Sequence, residues 1–168
     1  MGGATALALL PFLPHSRPIS MILVDPGLEL SADLTETIRG LCIGGINDAR
    51  AGKGFELSKA AYPQWKEEDV MWTVLGMYMC DIAAIEEIFR QNRPWSFAHL
   101  LGTPHPNISI TILIADPSST GMRIADDIKV YPDIKSVLLP PGTGHWVQYE
   151  RPEAIVEEAL KAVALQRV

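Results

Sequence analysis

Three apolar runs end in the same kind of punctuation. Ile19–Val24 reads ISMILV and meets Asp25, Pro26 and Gly27. Residues 108–115 read ISITILIA and meet Asp116 and Pro117. Residues 134–139 read IKSVLL and meet Pro140, Pro141 and Gly142. Short apolar stretches closed by proline and glycine predict buried or half-buried strands that end in turns. Between the last two, residues 116–133 place Ile124 and Ile128 on one helical face. Strand, helix, strand at this spacing predicts a right-handed crossover in a parallel sheet.

The remaining pattern has helical period. Pro152 suits a first helical turn. Ile155, Val156, Ala159, Leu160 and Val163 follow as an apolar stripe, with Glu157 and Lys161 as an i,i+4 pair on the polar side. Residues 28–107 hold helical pieces and no strand signal. Residues 33–41 form one candidate. Residues 67–80 form a second, with Val70, Val74, Leu75 and Tyr78 roughly aligned. Asp81 is placed to cap a third, which buries Ile82, Ile85, Ile88 and Phe89 and pairs Glu86 with Arg90. Residues 92–107 read as a proline-rich return to the sheet. At the start, Ala4 to Leu10 covers nearly every helical face, which predicts a buried helix. This apolar start resembles a signal-peptide core but lacks a positive leading region, and Pro11 and Pro14 interrupt it.

Composition narrows the partners. The chain has 168 residues, of which 48% are hydrophobic and 20% charged, enough for one substantial core. Fourteen basic against 20 acidic side chains give a net charge of -6, which disfavours nucleic acid and anionic membranes as partners. Cys42 and Cys80 make neither a disulfide scaffold nor a zinc site, and they fit a reducing, cytoplasmic setting. His15, His99 and His105 are scattered near prolines, so no metal site is expected. No phosphate loop, dinucleotide fingerprint or calcium loop is present, so no cofactor is expected.

The segment richest in chemistry is PPGTGHWVQYERPE, residues 140–153. His145 follows a Gly142, Thr143, Gly144 turn after a predicted strand, where parallel sheets place reactive groups. A neutral imidazole there is suited to move a proton to and from a hydroxyl nucleophile. It needs a carboxylate to fix its tautomer. Asp116 ends the preceding strand and is the first candidate; Asp25 ends an earlier strand and is the second. Asp126, Asp127 and Asp133 read as surface. No serine lies in a Gly-x-Ser-x-Gly elbow, Cys42 lies among the helices, and Cys80 reads as a core cysteine.

These residues resemble the α/β-hydrolase superfamily. Gly142, Gly144 and His145, then Glu150, Arg151 and Pro152, resemble its histidine loop and the start of its last helix. Ala115, Asp116 and Pro117 resemble the acid-bearing turn, although the commoner Gly-x-x-Asp form would put the acid at Ser118. Leu23 to Pro26 resembles the strand before the cap. Met1, Gly2 and Gly3 resemble the residues that follow an elbow serine.

The resemblance implies an α/β fold, the C-terminal part of an α/β-hydrolase parallel sheet with an inserted helical cap. Residues 1–27 would be partial core, 28–107 cap and linker, and 108–168 the strands and helices carrying acid and histidine. It implies that the nucleophile lies just before Met1, that the Met1 backbone N–H serves the oxyanion hole, and that the 168-residue chain alone is inactive. The implied partner is a small, largely apolar carbonyl substrate such as an ester. Trp72, Tyr78 and Trp95 of the cap, with Trp146 beside the histidine, would line its pocket, and Trp65 and Phe97 are further aromatics of that region. Alternatives are an epoxide hydrolase or haloalkane dehalogenase type with an aspartate nucleophile, and a non-catalytic binding module. Oligomeric state is not legible.

Overall fold

β-Branched and aliphatic residues dominate the three runs, and each forms a strand. In a computed structural model, the described residues are 1–168 except 15, 104–106, 121, 123 and 166–168. In chain order they form α1 (Gly2–Ala8), β1 (Ile19–Val24), α2 (Ala32–Arg50), α3 (Gly54–Ala61), α4 (Glu67–Met79), α5 (Ile82–Gln91), β2 (Ile108–Ile114), α6 (Pro117–Thr120), α7 (Ile124–Ile128), β3 (Lys135–Leu138), α8 (Val147–Glu150) and α9 (Pro152–Leu165). Short 3-10 turns cover Leu10–Phe12 and Ala98–Gly102. The chain forms two compact units. One joins Met1–Glu29 to Ser96–Val168, and the other is Leu30–Trp95.

The first unit is an α/β layer. Its strands are all parallel, in the order β1-β2-β3. Central β2 explains the unbroken run at 108–115: Ile110, Ile112, Leu113, Ile114 and Ala115 are all buried. Val24 pairs with Leu113 and Ile114 with Leu138, so the three carboxyl ends finish at one edge of the sheet. Leu113, Ala115, Leu139 and Val147 form a core there, against Ile22, Val24, Val137, Ala154 and Ile155. Burial of each large aliphatic side chain contributes about 1.5–3 kcal/mol.

Several helical expectations change. The α9 stripe is only partly inside: Val156, Leu160 and Val163 are exposed. The side chain that α9 buries most is Glu158, which takes Lys135 of β3 and Lys161 as partners. Lys161 therefore bonds Glu158, one turn away at i,i+3, where the sequence pattern predicted Glu157. The α1 segment buries Ala4, Leu7 and Leu10 but exposes Leu9 and Phe12, so it is not buried all round.

The second unit, among the described residues, is all helix. Ser31 caps α2 by accepting from the Leu34 N–H at 3.2 Å, and Asp81 caps α5 through the Ala83 N–H at 2.9 Å. Helix α2 runs far beyond residues 33–41. Its glycines lower helix propensity, but Gly45 lets Met77 of α4 pack closely, since a Cβ there would lie 3.0 Å from the Met77 sulfur. Helix α3 was not foreseen. It begins at Gly54, where a Cβ would lie 2.9 Å from the Ala49 Cα. Arg90 pairs with Glu87, while Glu86 faces Arg39 at 3.8 Å. Trp65 is buried and stacks on Tyr62. No helix among the described residues is long and apolar enough to cross a membrane.

Candidate active site

The site grows from the shared carboxyl edge of the sheet. Asp25 is the first residue after β1 and is wholly buried. Its φ of 42° is left-handed, a region that costs an L-residue roughly 1–2 kcal/mol. Three bonds hold it in place. Its own N–H donates to the Leu113 carbonyl at 2.8 Å. Its Oδ1 accepts from the Ala115 N–H at 3.0 Å. Its Oδ2 lies 2.8 Å from Nδ1 of His145. The carboxylate thus lies across the end of β2 and meets the loop that follows β3. Pro26 behind it is buried against α1, where a Cβ on Gly3 would come within 2.6 Å of the Pro26 Cβ.

His145 is held from below and open above. Its side chain is 52% exposed, against 1% for Asp25. With Nδ1 donating to the carboxylate, the neutral ring carries its lone pair on Nε2. That is the tautomer a general base needs. Val147 anchors the following turn at 0% exposure. Trp146 packs edge-on to the imidazole with ring centroids 5.8 Å apart, and stacks with Tyr149 at 6.0 Å.

The carboxylate in contact with the histidine ring is therefore that of Asp25 and not, as expected, that of Asp116. Adjacency of β2 and β3 does bring Asp116 to the histidine loop, but to its backbone. Asp116 Oδ2 accepts from the Gly142 N–H at 2.8 Å and Oδ1 from the Ser118 N–H at 2.9 Å. The Gly142 N–H, with that of Ser118, holds the Asp116 carboxyl below its ordinary pKa. Both of its oxygens are engaged while Asp25 reaches over β2 to the ring.

The other predicted site residues have separate settings. Met1 is exposed at the N-cap of α1. In the helical unit, Trp72 and Tyr78 are 62% and 56% exposed on α4. Trp95 is buried there, 5.3 Å from Phe89 between ring centroids, and borders a cavity of about 150 Å³ whose rim includes Glu36 and Arg93. Trp95 is thus a packing residue at a small cleft. His99 is exposed, and His15 and His105 lie outside the described residues. No three His, Cys, Asp or Glu side chains among the described residues are grouped to hold a metal ion.

Sequence reasoning missed the role of Glu150. Its Oε2 accepts from the Gly144 N–H at 2.6 Å. The signal was present as a glycine before the histidine and a carboxylate five residues after it.

Solved structures give the fold its class. The chain is similar to E-2-(acetamidomethylene)succinate hydrolase, with a TM-score of 0.68 and 16% identity over 96% of this chain and 62% of that one. It is also similar to the N-formylmaleamic acid deformylase Nfo from Pseudomonas putida S16, with a TM-score of 0.58 and 16% identity over 82% of this chain and 55% of that one. The fold is that of the C-terminal part of an α/β-hydrolase. The chain spans less than two thirds of either neighbour's length. No protein-family model and no curated protein matches the sequence.

Proposed function

We propose that this chain carries the acid–base part of a hydrolase relay that cleaves a small acyl substrate. The observation that carries this reading is the 2.8 Å contact between buried Asp25 and Nδ1 of His145, at the carboxyl edge of a parallel sheet. In the proposed reaction a serine hydroxyl attacks the acyl carbon and passes its proton to Nε2 of His145. The imidazolium, stabilised by Asp25, returns that proton to the leaving nitrogen or oxygen as the bond to carbon breaks. Water then repeats the cycle on the acyl-enzyme and frees the serine.

The nucleophile in this proposal is an elbow serine directly before Met1, as the resemblance of Met1, Gly2 and Gly3 implies. The Met1 N–H would then be one oxyanion donor. The neighbours support acyl chemistry: one is named for hydrolysis of an acetamidomethylene compound and the other for removal of a formyl group. Trp146 is proposed as an apolar wall of the pocket, because it adjoins the imidazole.

The test compares two chains, the 168 residues alone and the same residues extended by their own upstream codons. Both are assayed on p-nitrophenyl esters and on N-acyl enamines. Turnover by the extended chain, lost in Ser→Ala at the elbow, in His145→Ala and in Asp25→Asn, supports the proposal. Turnover that survives His145→Ala, or an upstream sequence without an elbow, overturns it. An aspartate at the elbow would instead favour epoxide or haloalkane substrates.

A further inference from the structure

The His145 loop is packed at Thr143 and Val147, but the two glycines before the histidine have no side chain to hold them. Gly142 sits at φ +84° and a second glycine, Gly144, precedes the histidine, a combination with high backbone freedom. The imidazole is itself half exposed. Yet the ring must stay within hydrogen-bond reach of Asp25, and a misplacement of about 1 Å at a reacting group costs about 10²-fold in rate.

Two carboxylates grip the backbone on the approach to the histidine. Asp116 accepts from the Gly142 N–H at 2.8 Å, while its own N–H donates to the Thr143 carbonyl at 2.9 Å. The Ser118 N–H fixes the same carboxylate from the other side at 2.9 Å. Glu150, on α8, reaches back to the Gly144 N–H at 2.6 Å. Space confirms the second grip: a Cβ on Gly144 would lie 2.9 Å from Glu150 Oε1. Ionised acceptors make such bonds roughly twice as strong as neutral ones.

The geometry points to Asp116 and Glu150 as positioning residues that hold the loop so that Nδ1 of His145 stays on Asp25. This rests on the reading of His145 and Asp25 as a relay. It assigns the two carboxylates no contact with substrate.

The test reads the ring directly. Histidines are labelled with ¹⁵N, His145 is assigned by loss of its signals in His145→Gln, and its tautomer is measured near neutral pH by long-range ¹⁵N–¹H spectra. Wild type is expected to hold a single Nδ1-protonated tautomer, and Asp25→Asn to lose it. A wild-type ring that is already mixed, or an unchanged Asp25→Asn ring, overturns the relay reading itself. Asp116→Ala and Glu150→Ala are expected to give mixed tautomers in chains that still unfold cooperatively. Asp116→Asn and Glu150→Gln are expected to keep the single form, because an amide oxygen accepts the same N–H. Folded alanine variants that keep the wild-type tautomer overturn this inference and leave the relay intact. Should an alanine variant fail to fold, amide exchange in wild type decides. Slow exchange at Gly142 and Gly144 that is lost on protonating the carboxylates supports the grip, and fast exchange at both overturns it.

Discussion

The sheet unit buries two carboxylates, Asp25 and Glu158, whereas the helical unit buries no charged side chain among the described residues. In the sheet unit, carboxylates join distant parts of the chain: Asp25 bonds Ala115 and His145, Asp116 bonds Gly142, and Glu29 accepts from Ser96 and the Ala98 N–H. In the helical unit the ion pairs lie nearer the surface, Arg39 with Glu36 and Arg90 with Glu87 within one helical turn, and Arg39 with Glu86 and Arg93 with Glu36 between segments. Exposed pairs of that kind contribute little to stability. Apolar residues diverge too. The sheet unit buries most of its central strand β2, whereas α4 exposes Met71, Trp72, Leu75, Tyr78 and Met79. The loops at the sheet edge are thus tied by carboxylates, of which Asp25 is buried, while α4 of the other unit leaves an apolar helical face uncovered.

The strongest way to break this contrast is Asp25→Asn. It keeps an oxygen for the Ala115 N–H but offers Nδ1 no carboxylate. By analogy with other triads, turnover of the elbow-bearing chain should fall about 10⁴-fold. Asp25→Ala should also destabilise, by about 1–3 kcal/mol, because the Ala115 N–H loses its buried acceptor. Glu87→Gln in the helical unit should change neither turnover nor stability measurably. Rate assays and urea denaturation check all three, and equal effects from Glu87 and Asp25 would end the contrast. Next in size is Leu113→Ala. Leu113 is fully buried in the core beneath the site, and its loss should cost about 2–5 kcal/mol in the same denaturation experiment.

The strands and their carboxyl-end turns were legible because continuous apolar runs closed by Pro and Gly have few other readings. His145 was legible for the same reason, as a polar residue in a glycine turn. The choice between Asp25 and Asp116 was not. Both follow a strand and precede a proline, and what separates them is strand order together with a left-handed φ at Asp25, neither of which is written locally. Ion pairs slipped by one residue in α5 and α9. Helical spacing offers i+3 and i+4 alike, and the choice fell to neighbours such as Lys135 on β3 and Arg39 on α2. Helix α3 was illegible because close packing of Gly54 against Ala49 is a tertiary fact.

A smaller effect concerns acid. The Gly142 and Ser118 N–H groups lower the pKa of Asp116 in the folded chain. A lowered folded value stabilises above the unfolded carboxyl value of about 3.9 and is lost as pH falls through the folded one. Thermal unfolding followed from neutral to acid pH should therefore show a decline below about pH 4 that is shallower in Asp116→Asn. An identical slope would show that the loop contact contributes nothing in solution. Asp116 is a surface group, so the difference is expected to be modest.

The smallest effect is the sharpest test of the helical unit. Trp72 and Met79 are 62% and 75% exposed on α4, so the folded unit gains little from them. Trp72→Ser and Met79→Ser should each shift stability by no more than about 0.5 kcal/mol. The same substitutions remove exposed apolar area and should raise solubility, read as the protein concentration at which light scattering begins. A loss of several kcal/mol would mean that these side chains are covered in solution. The contrast between a buried central strand β2 and an exposed apolar face on α4 would then fail.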